Sequence, residues 1–97
     1  MPTYVVLMKW TDQGAKTASD TVDRYEAAKD DLAQRGVTIK DIYWTLGPYD
    51  LVTIVEAADD ETAAAALMRL GSQGNLRTMS MRGFSAEEAR RLVEKTG

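Results

Sequence analysis

Apolar positions alternate with a period of two in some segments and recur every three to four residues in others, a pattern that predicts strands and helices in turn. β-Branched and aromatic residues fill Thr3–Trp10, which is predicted to be a strand, and the polar segment Thr11–Lys16 after it is predicted to be a flexible connection. Between Thr21 and Gln34 the apolar residues fall at helical spacing, and Gly36 supplies a helix stop. The chain therefore begins with a strand followed by a helix.

The next two apolar runs are predicted to form a hairpin. They cover Val37–Leu46 and Leu51–Ala57, and the turn Gly47–Asp50 separates them. Pro48 presets the φ angle of the second turn position, and Tyr49 at the third position favours a type I turn, since a type II turn needs a positive φ there. These two strands are therefore expected to be antiparallel neighbours.

A second helix and a fourth strand complete the pattern. Asp59 is placed to cap a helix rich in alanine and leucine, which Gly71 and Gly74 are predicted to end. Leu76–Gly83 is predicted to be a strand, and Ser85–Glu88 has the spacing of a capping box that opens a short terminal helix. Ninety-seven residues suffice for one domain only, so residues 1–97 are assigned to a single domain.

The order β-α-β-β-α-β is that of the ferredoxin-like α+β fold, in which a four-stranded antiparallel sheet carries two helices on one face. In that topology the first and third strands are central and the other two are edges. The charged residues agree with this order. The edge strands carry Lys40, Asp41, Arg77 and Arg82, whereas the central strands carry only Lys9 and Glu56.

Both faces of the central strands are apolar, which predicts a partner for the sheet. In the first strand Tyr4, Val6 and Met8 lie on one side and Val5 and Leu7 on the other. Two helices can cover only one side, and an antiparallel face left in water should be polar. A second copy of the chain is the simplest cover, so a homodimer is predicted. Unpaired edge strands could extend it to a larger oligomer.

The charge and the composition narrow the possible partners and the location. The net charge is −3, from 15 acidic and 12 basic residues, which argues against nucleic acid as a partner. No apolar run approaches the roughly 20 residues that span a bilayer, and the N-terminus lacks a signal-peptide pattern, so no membrane association and a cytoplasmic location are expected. The absence of cysteine fits a reducing compartment.

The absence of both cysteine and histidine limits the chemistry. It excludes thiolate catalysis, disulfides, serine–histidine systems within the chain and every metal site that needs these ligands. The acidic run Asp59–Glu61 lacks the glycine and the distant glutamate of a calcium loop and is explained by helix capping. No cofactor and no metal are therefore predicted.

Glu56 is the residue that interrupts the apolar pattern of a central strand. If its side faces a partner sheet, it is a candidate ligand-binding residue, with Arg77 or Arg82 as the counter-charge; if it lies at a frayed strand end, it is solvated. Arg77 and Arg82 are an odd number of residues apart and so lie on opposite sides of the predicted strand. Only one of them can lie on the same face as Glu56 unless the strand contains a bulge.

Aromatic residues and the hairpin turn supply the remaining candidates. Tyr49 and Asp50 either form a structural corner or border a ligand site, and Tyr43 is a further ligand candidate. Packing is the expected role of Trp10, Tyr43 and Trp44, since aromatic residues favour burial.

Four blocks of the sequence resemble the GYD domain family, named for the pattern of Gly47, Tyr49 and Asp50. The blocks are Thr11–Gly14, Asp41–Val52, Ile54–Ala57 and Leu70–Thr78. The resemblance covers nearly the whole chain and implies a dimeric α/β-barrel made of two ferredoxin-like units packed sheet to sheet. The family carries no catalytic assignment, and at fold level the chain is also similar to ligand-sensing and cofactor-free oxygenase members of the dimeric barrel superfamily.

Two function classes follow. The first is a non-catalytic oligomeric module that binds a small ligand or serves assembly, and it is favoured because the chain has no recognisable catalytic constellation. The second is a cofactor-free enzyme, oxygenase-like or isomerase-like, with a pocket between helices and sheet or between subunits. Its acting residues would be Glu56, Tyr43 or Tyr49, with an arginine to hold an anionic substrate.

Overall fold

The computed structural model describes residues 1–97. Its strands are β1 (Thr3–Trp10), β2 (Val37–Trp44), β3 (Leu51–Ala57) and β4 (Leu76–Gly83). Its helices are α1 (Asp12–Lys16), α2 (Thr21–Gln34), α3 (Asp60–Ser72) and α4 (Ala86–Glu94), with a 3₁₀ turn at Ala18–Asp20. None of the helices is long and apolar enough to cross a bilayer.

The four strands form one antiparallel sheet in the order β2-β3-β1-β4. This confirms the predicted α+β fold with β1 and β3 at the centre. Helices α2 and α3 supply the buried Leu32, Ala63 and Ala66, which form one core with the buried side chains of the sheet. The edge strand β2 contains an irregularity between Ile39 and Asp41, where its register against β3 shifts.

The core lies between the sheet and the two helices, and it is small. It comprises Tyr4, Val6, Met8, Leu32, Val37, Leu51, Val55, Ala57, Ala63 and Ala66. Only 12 of the 97 residues are buried, and the Cα radius of gyration is 14.5 Å, whereas a compact domain of this length has about 12.5 Å. The chain alone therefore leaves much of its apolar surface in contact with water.

The segment predicted to be a flexible connection is a helix. Thr11 caps α1 by accepting the Gly14 N–H at 3.1 Å, and its own hydroxyl donates to the Gly74 carbonyl at 2.6 Å. The Thr11 N–H donates to the Asn75 carbonyl at 3.1 Å. These contacts come from residues more than 60 positions away, so local composition could not reveal them.

Two predicted boundaries were wrong. Strand β2 ends at Trp44 rather than Leu46. Gly71 lies inside α3, which continues to Ser72, and Gly74 with φ of 84° follows the helix end. A glycine within a helix weakens it but does not stop it, whereas a positive φ does.

The hairpin loop is fixed by contacts with its flanks. The Thr45 N–H donates to the Asp50 carbonyl at 2.9 Å, and the Asp50 N–H donates to the Met8 carbonyl of β1 at 2.9 Å. No residue other than glycine has a positive φ, so Tyr49 is not in a type II turn, in agreement with the prediction. The loop is thus held against the central strand.

Helix α4 begins with the predicted capping box, in which Ser85 and Glu88 exchange side-chain and backbone hydrogen bonds. It buries none of its residues. At 100° per residue, Ala86, Ala89, Leu92 and Val93 fall within about 120° of arc, which is an apolar stripe. The helix therefore presents an apolar side with no cover in the single chain.

Candidate functional site

The sheet side away from the helices is a continuous apolar surface, here called the open face. Residues that are directly opposite each other on neighbouring strands point to the same side of the sheet. Val5 lies opposite Ile54 and Met81, and Leu7 lies opposite Val52 and Met79. Tyr43 on β2 extends the second row, since it lies opposite Val52. The apolar residues of the open face are Val5, Leu7, Tyr43, Val52, Ile54, Met79 and Met81, and Asp41 lies beside them opposite Ile54.

The open face is accessible and large. Tyr43 is 60% exposed, Met79 55% and Met81 46%. Four strands about 4.8 Å apart and eight residues at about 3.3 Å each give a surface of about 19 by 26 Å. A patch of this size is typical of an interaction site on a protein of this length.

Glu56 lies at one end of the open face, but its ion-pair partner is neither predicted arginine. Its carboxylate is 3.7 Å from the ammonium of Lys40, and both side chains keep contact with water. Arg77 is opposite Lys9 at the far end of the strands, several residues from Glu56 along the sheet. The register shift in β2 leaves Lys40 without a partner residue on β3. Lys40 lies two residues after Thr38, which is opposite Glu56. The counter-charge predicted for Glu56 was therefore wrong.

Arg82 faces the helix side of the sheet. Its guanidinium lies 5.8 Å from the Tyr4 ring centre and 4.6 Å from that of Phe84, and it is 4.0 Å from the Glu88 carboxylate. The Ser85 backbone N–H bonded to Glu88 is the main cause that lowers the pKa of this carboxyl. Arg82 thus connects β4 to the start of α4 and is turned away from the open face.

The two hairpin candidates have different surroundings. The Asp50 carboxylate accepts a hydrogen bond from the backbone N–H of Trp10 at 2.9 Å. This bond extends the ladder between β1 and β3 beyond its last residue pair. The Tyr49 hydroxyl donates to the sulfur of Met79 at 3.7 Å and so borders the open face. Asp50 has a structural contact, and Tyr49 belongs to the rim of the open face together with Tyr43.

A second candidate site is a cavity between the sheet and helices α2 and α3. It has a volume of about 60 Å³, and 15 of its 20 lining residues are hydrophobic. None of the six predicted ligand-binding residues lines it. No aspartate or glutamate is among its lining residues, so the cavity has no carboxylate to act as a general base. The enzyme hypothesis built on Glu56, Tyr43 or Tyr49 gains no support from this cavity.

Two buried polar atoms in the lining have no hydrogen-bond partner: the indole nitrogen of Trp10 and the hydroxyl of Thr53. Thr53 is 1% exposed. The sequence contained a signal for it, because Thr53 interrupts the buried positions Leu51, Val55 and Ala57 of a central strand. A buried polar group without a partner lowers stability, so such groups usually mark a ligand, a water or a function.

Replacing Thr53 by valine is expected to stabilise the chain. The change removes a buried hydroxyl without a partner and keeps the branched shape, so the free energy of unfolding should rise by about 1–2 kcal/mol. Guanidinium unfolding at fixed protein concentration measures it. Thr78→Val, at a half-buried strand position, should stay within about 0.5 kcal/mol. An unchanged or lower stability of Thr53→Val would show that the hydroxyl has a partner.

The one basic residue that lines the cavity is Arg24. Arg24 donates to the carbonyl and hydroxyl of Thr17 at 2.8 and 2.7 Å, yet no carboxylate lies within 4.0 Å of it. The nearby Asp31 is bound by Arg69 and Arg35, and the hydrogen bond from Arg69 is the main cause that lowers its pKa. Its charge is therefore already balanced, and Arg24 is left as an unpaired cation.

Comparison with known proteins identifies relatives of this chain. The sequence matches the GYD domain family over residues 4–93. The "Glutamine synthetase and cystathionine beta-lyase binding protein" of Thermus thermophilus is 40% identical over 82 residues, which is 84% of this chain and 86% of the relative. The crystal structure of TTHA0845 from Thermus thermophilus is similar with a TM-score of 0.56 and 26% identity, covering 89% of this chain and 96% of that chain. A match over nearly the whole chain shows that it belongs to the GYD domain family.

Proposed function

We propose that this chain is a single-domain, non-catalytic module that forms a homodimer and binds metabolic enzymes. The observation that carries the proposal is the 40% identity to a protein named for its binding to glutamine synthetase and cystathionine β-lyase. The proposed partners are enzymes of these two classes. The cytoplasmic location stays a prediction from the sequence.

The open face supports the dimer. At about 25 cal/mol per Å², removing roughly 400 Å² of apolar surface from water on each of two subunits contributes about 20 kcal/mol. Association costs about 4–15 kcal/mol, so the balance favours a stable pair. Two such sheets packed face to face form the barrel that the family resemblance implies.

The charged candidate residues already have partners within the chain, which favours a binding role for the protein over a catalytic one. The carboxylate of Glu56 pairs with Lys40, that of Asp50 holds a backbone N–H, and Arg82 contacts Glu88. Each of these groups thus has a partner within the chain. Stabilising contacts of this kind explain the residues without a substrate.

Helix α4 is the segment that we assign to the enzyme contact. Its apolar stripe is not part of the open face and has no cover in the single chain. Leu92 is 42% exposed and Val93 67%. An amphipathic helix of this kind fits an apolar groove on a partner protein.

Titration calorimetry with purified glutamine synthetase and cystathionine β-lyase from the same source tests the proposal. We expect binding to at least one enzyme at micromolar concentration. The double variant Leu92→Ser with Val93→Ser should weaken it at least tenfold and leave the dimer mass unchanged. The matched control is Met68→Ser, which alters a 76% exposed side chain on α3.

The outcomes separate the parts of the proposal. Absence of binding to both enzymes at tens of micromolar would contradict the enzyme-binding role. Loss of the dimer in the α4 variant would place this helix in the contact between the two copies instead.

A further inference from the structure

Two of the sequence blocks that carry the family resemblance, Thr11–Gly14 and Leu70–Thr78, meet in the structure. The side-chain amide of Gln13 donates to the carbonyl of Gln73 at 3.2 Å and to the side-chain oxygen of Asn75 at 3.0 Å. These bonds fasten the start of α1 to the turn that follows α3. The enzyme-binding role uses neither block, so the corner where they meet needs another explanation.

Arg24 of α2 belongs to the same corner. Its guanidinium donates to the carbonyl of Gly14 at 3.4 Å and to two oxygens of Thr17 at 2.8 and 2.7 Å. Gly14 in turn packs directly on Asn75, because a Cβ atom at Gly14 would lie 2.1 Å from the Asn75 carbonyl oxygen. The Gly14 backbone therefore connects the guanidinium to Asn75. Three of the five N–H donors of a guanidinium are used in these bonds, which leaves two for a ligand.

A polar groove between α2 and α3 lies at this corner and is here called the α2–α3 groove. It has a volume of about 370 Å³, and only two of its seven lining residues are hydrophobic. Its polar lining residues are Arg24 and Asp31 from α2, Arg69 from α3, and Gln73 and Asn75 after it. Pockets that bind small molecules begin at about 300 Å³. The groove is therefore large enough for a molecule of amino-acid size.

The charge in the groove favours a carboxylate as its ligand. Asp31 is bound by Arg69 and Arg35, so Arg24 is the lining cation that lacks a counter-ion. A carboxylate supplies one negative charge and accepts two parallel N–H bonds from a guanidinium. A phosphate monoester carries about 1.5 to 2 negative charges, which is more than one unpaired cation balances.

The side-chain amides at the corner favour an uncharged polar group at the other end of the ligand. The side-chain oxygen of Asn75 is occupied by Gln13, so its NH₂ group is the part that can donate to a ligand. Gln73 adds a second amide with both a donor and an acceptor. An amide on the ligand matches an amide on the protein, because each can donate to and accept from the other.

We propose that the α2–α3 groove binds a small carboxylic acid that carries an amide or a similar uncharged polar group. The carboxylate accepts hydrogen bonds from Arg24 and from the NH₂ group of Asn75, and the polar end pairs with Gln73. The proposal does not rest on the enzyme-binding role, because no residue of the groove belongs to the open face or to α4.

Calorimetry with glutaramate, which has a carboxylate at one end and an amide at the other, tests the site. We expect saturable binding of one molecule per chain with a Kd below about 1 mM. The neutral diamide glutaramide should bind at least about tenfold more weakly, and Arg24→Gln should weaken glutaramate to the same extent, the effect of losing a charge-assisted hydrogen bond. Lys29→Gln is the matched control, since it removes a positive charge from an exposed position of α2 outside the groove and should change the affinity less than about twofold.

Nuclear magnetic resonance gives an independent readout, in which the side-chain amide signals of Asn75 and Gln73 should shift on titration with glutaramate. Absence of saturable binding, equal affinity for glutaramate and glutaramide, or unchanged affinity in Arg24→Gln would each overturn the proposal. Inorganic phosphate that binds as tightly as glutaramate would overturn the assignment to a carboxylate. The comparison of the three ligands uses the unaltered protein, so it decides the question even if Arg24→Gln fails to fold.

Discussion

Ile54→Lys is expected to convert the protein from a dimer into a folded monomer. Ile54 lies in the middle of the open face, where a lysine would lose its hydration when two sheets pack together. In the single chain the new ammonium lies opposite Asp41 on the neighbouring strand, where opposite charges are favourable. The substitution therefore acts on the association and not on the fold.

Light scattering after gel filtration measures this effect. The unaltered protein should have at least twice the chain mass of 10.7 kDa at micromolar concentration, and the variant should dissociate at least 100-fold more readily, about 2.7 kcal/mol. Val22→Lys is the matched control, because Val22 is 50% exposed on α2. A monomeric unaltered protein, or a variant that stays dimeric, would contradict the role of the open face.

Gly14→Ala is expected to destabilise the fold by about 3 kcal/mol, the scale of an overpacked core position. Gly14 is buried in α1, and a Cβ atom there would lie 2.1 Å from the carbonyl oxygen of Asn75. The same oxygen accepts the Thr11 N–H, so the backbone segment cannot move away without losing a hydrogen bond. Thermal unfolding should show a decrease in melting temperature of at least about 10 °C.

Gly71→Ala provides the opposite case in the same chain. Gly71 lies inside α3, and a Cβ atom there meets nothing within 4 Å. Alanine should raise the free energy of unfolding by about 0.5–1 kcal/mol, because it has the higher helix propensity. Both variants must be compared at one protein concentration, since dimerisation raises the apparent stability. Similar effects of the two substitutions would show that α1 does not pack against Asn75.

Most of the sheet could be predicted from the sequence because strand signals depend on neighbouring residues. Strands Thr3–Trp10, Leu51–Ala57 and Leu76–Gly83 begin and end where the pattern placed them. The capping residues Asp59 and Ser85 were also correct, since a cap acts within three residues. Helix α1 was missed because its cap is supported by Gly74 and Asn75, distant in the chain.

The candidate site was harder to predict, for reasons visible in particular residues. Parity placed Glu56 on the open side correctly, yet it could not identify Lys40 as the partner, because that contact depends on a register shift in β2. The cavity joins residues from α2, α3 and all four strands. Trp10, Arg24 and Thr53 look unrelated in the sequence.

The sequence by itself determined the order of the elements, the central strands, the apolar second face of the sheet and the resemblance to the family. These features depend on local periodicity and composition, which act over a few residues. The tertiary structure decided which charges meet, that Arg82 turns to the helix side, and that two polar atoms remain without partners in a cavity. Those features depend on register and on contacts across the whole chain, which only the assembled sheet and helices define.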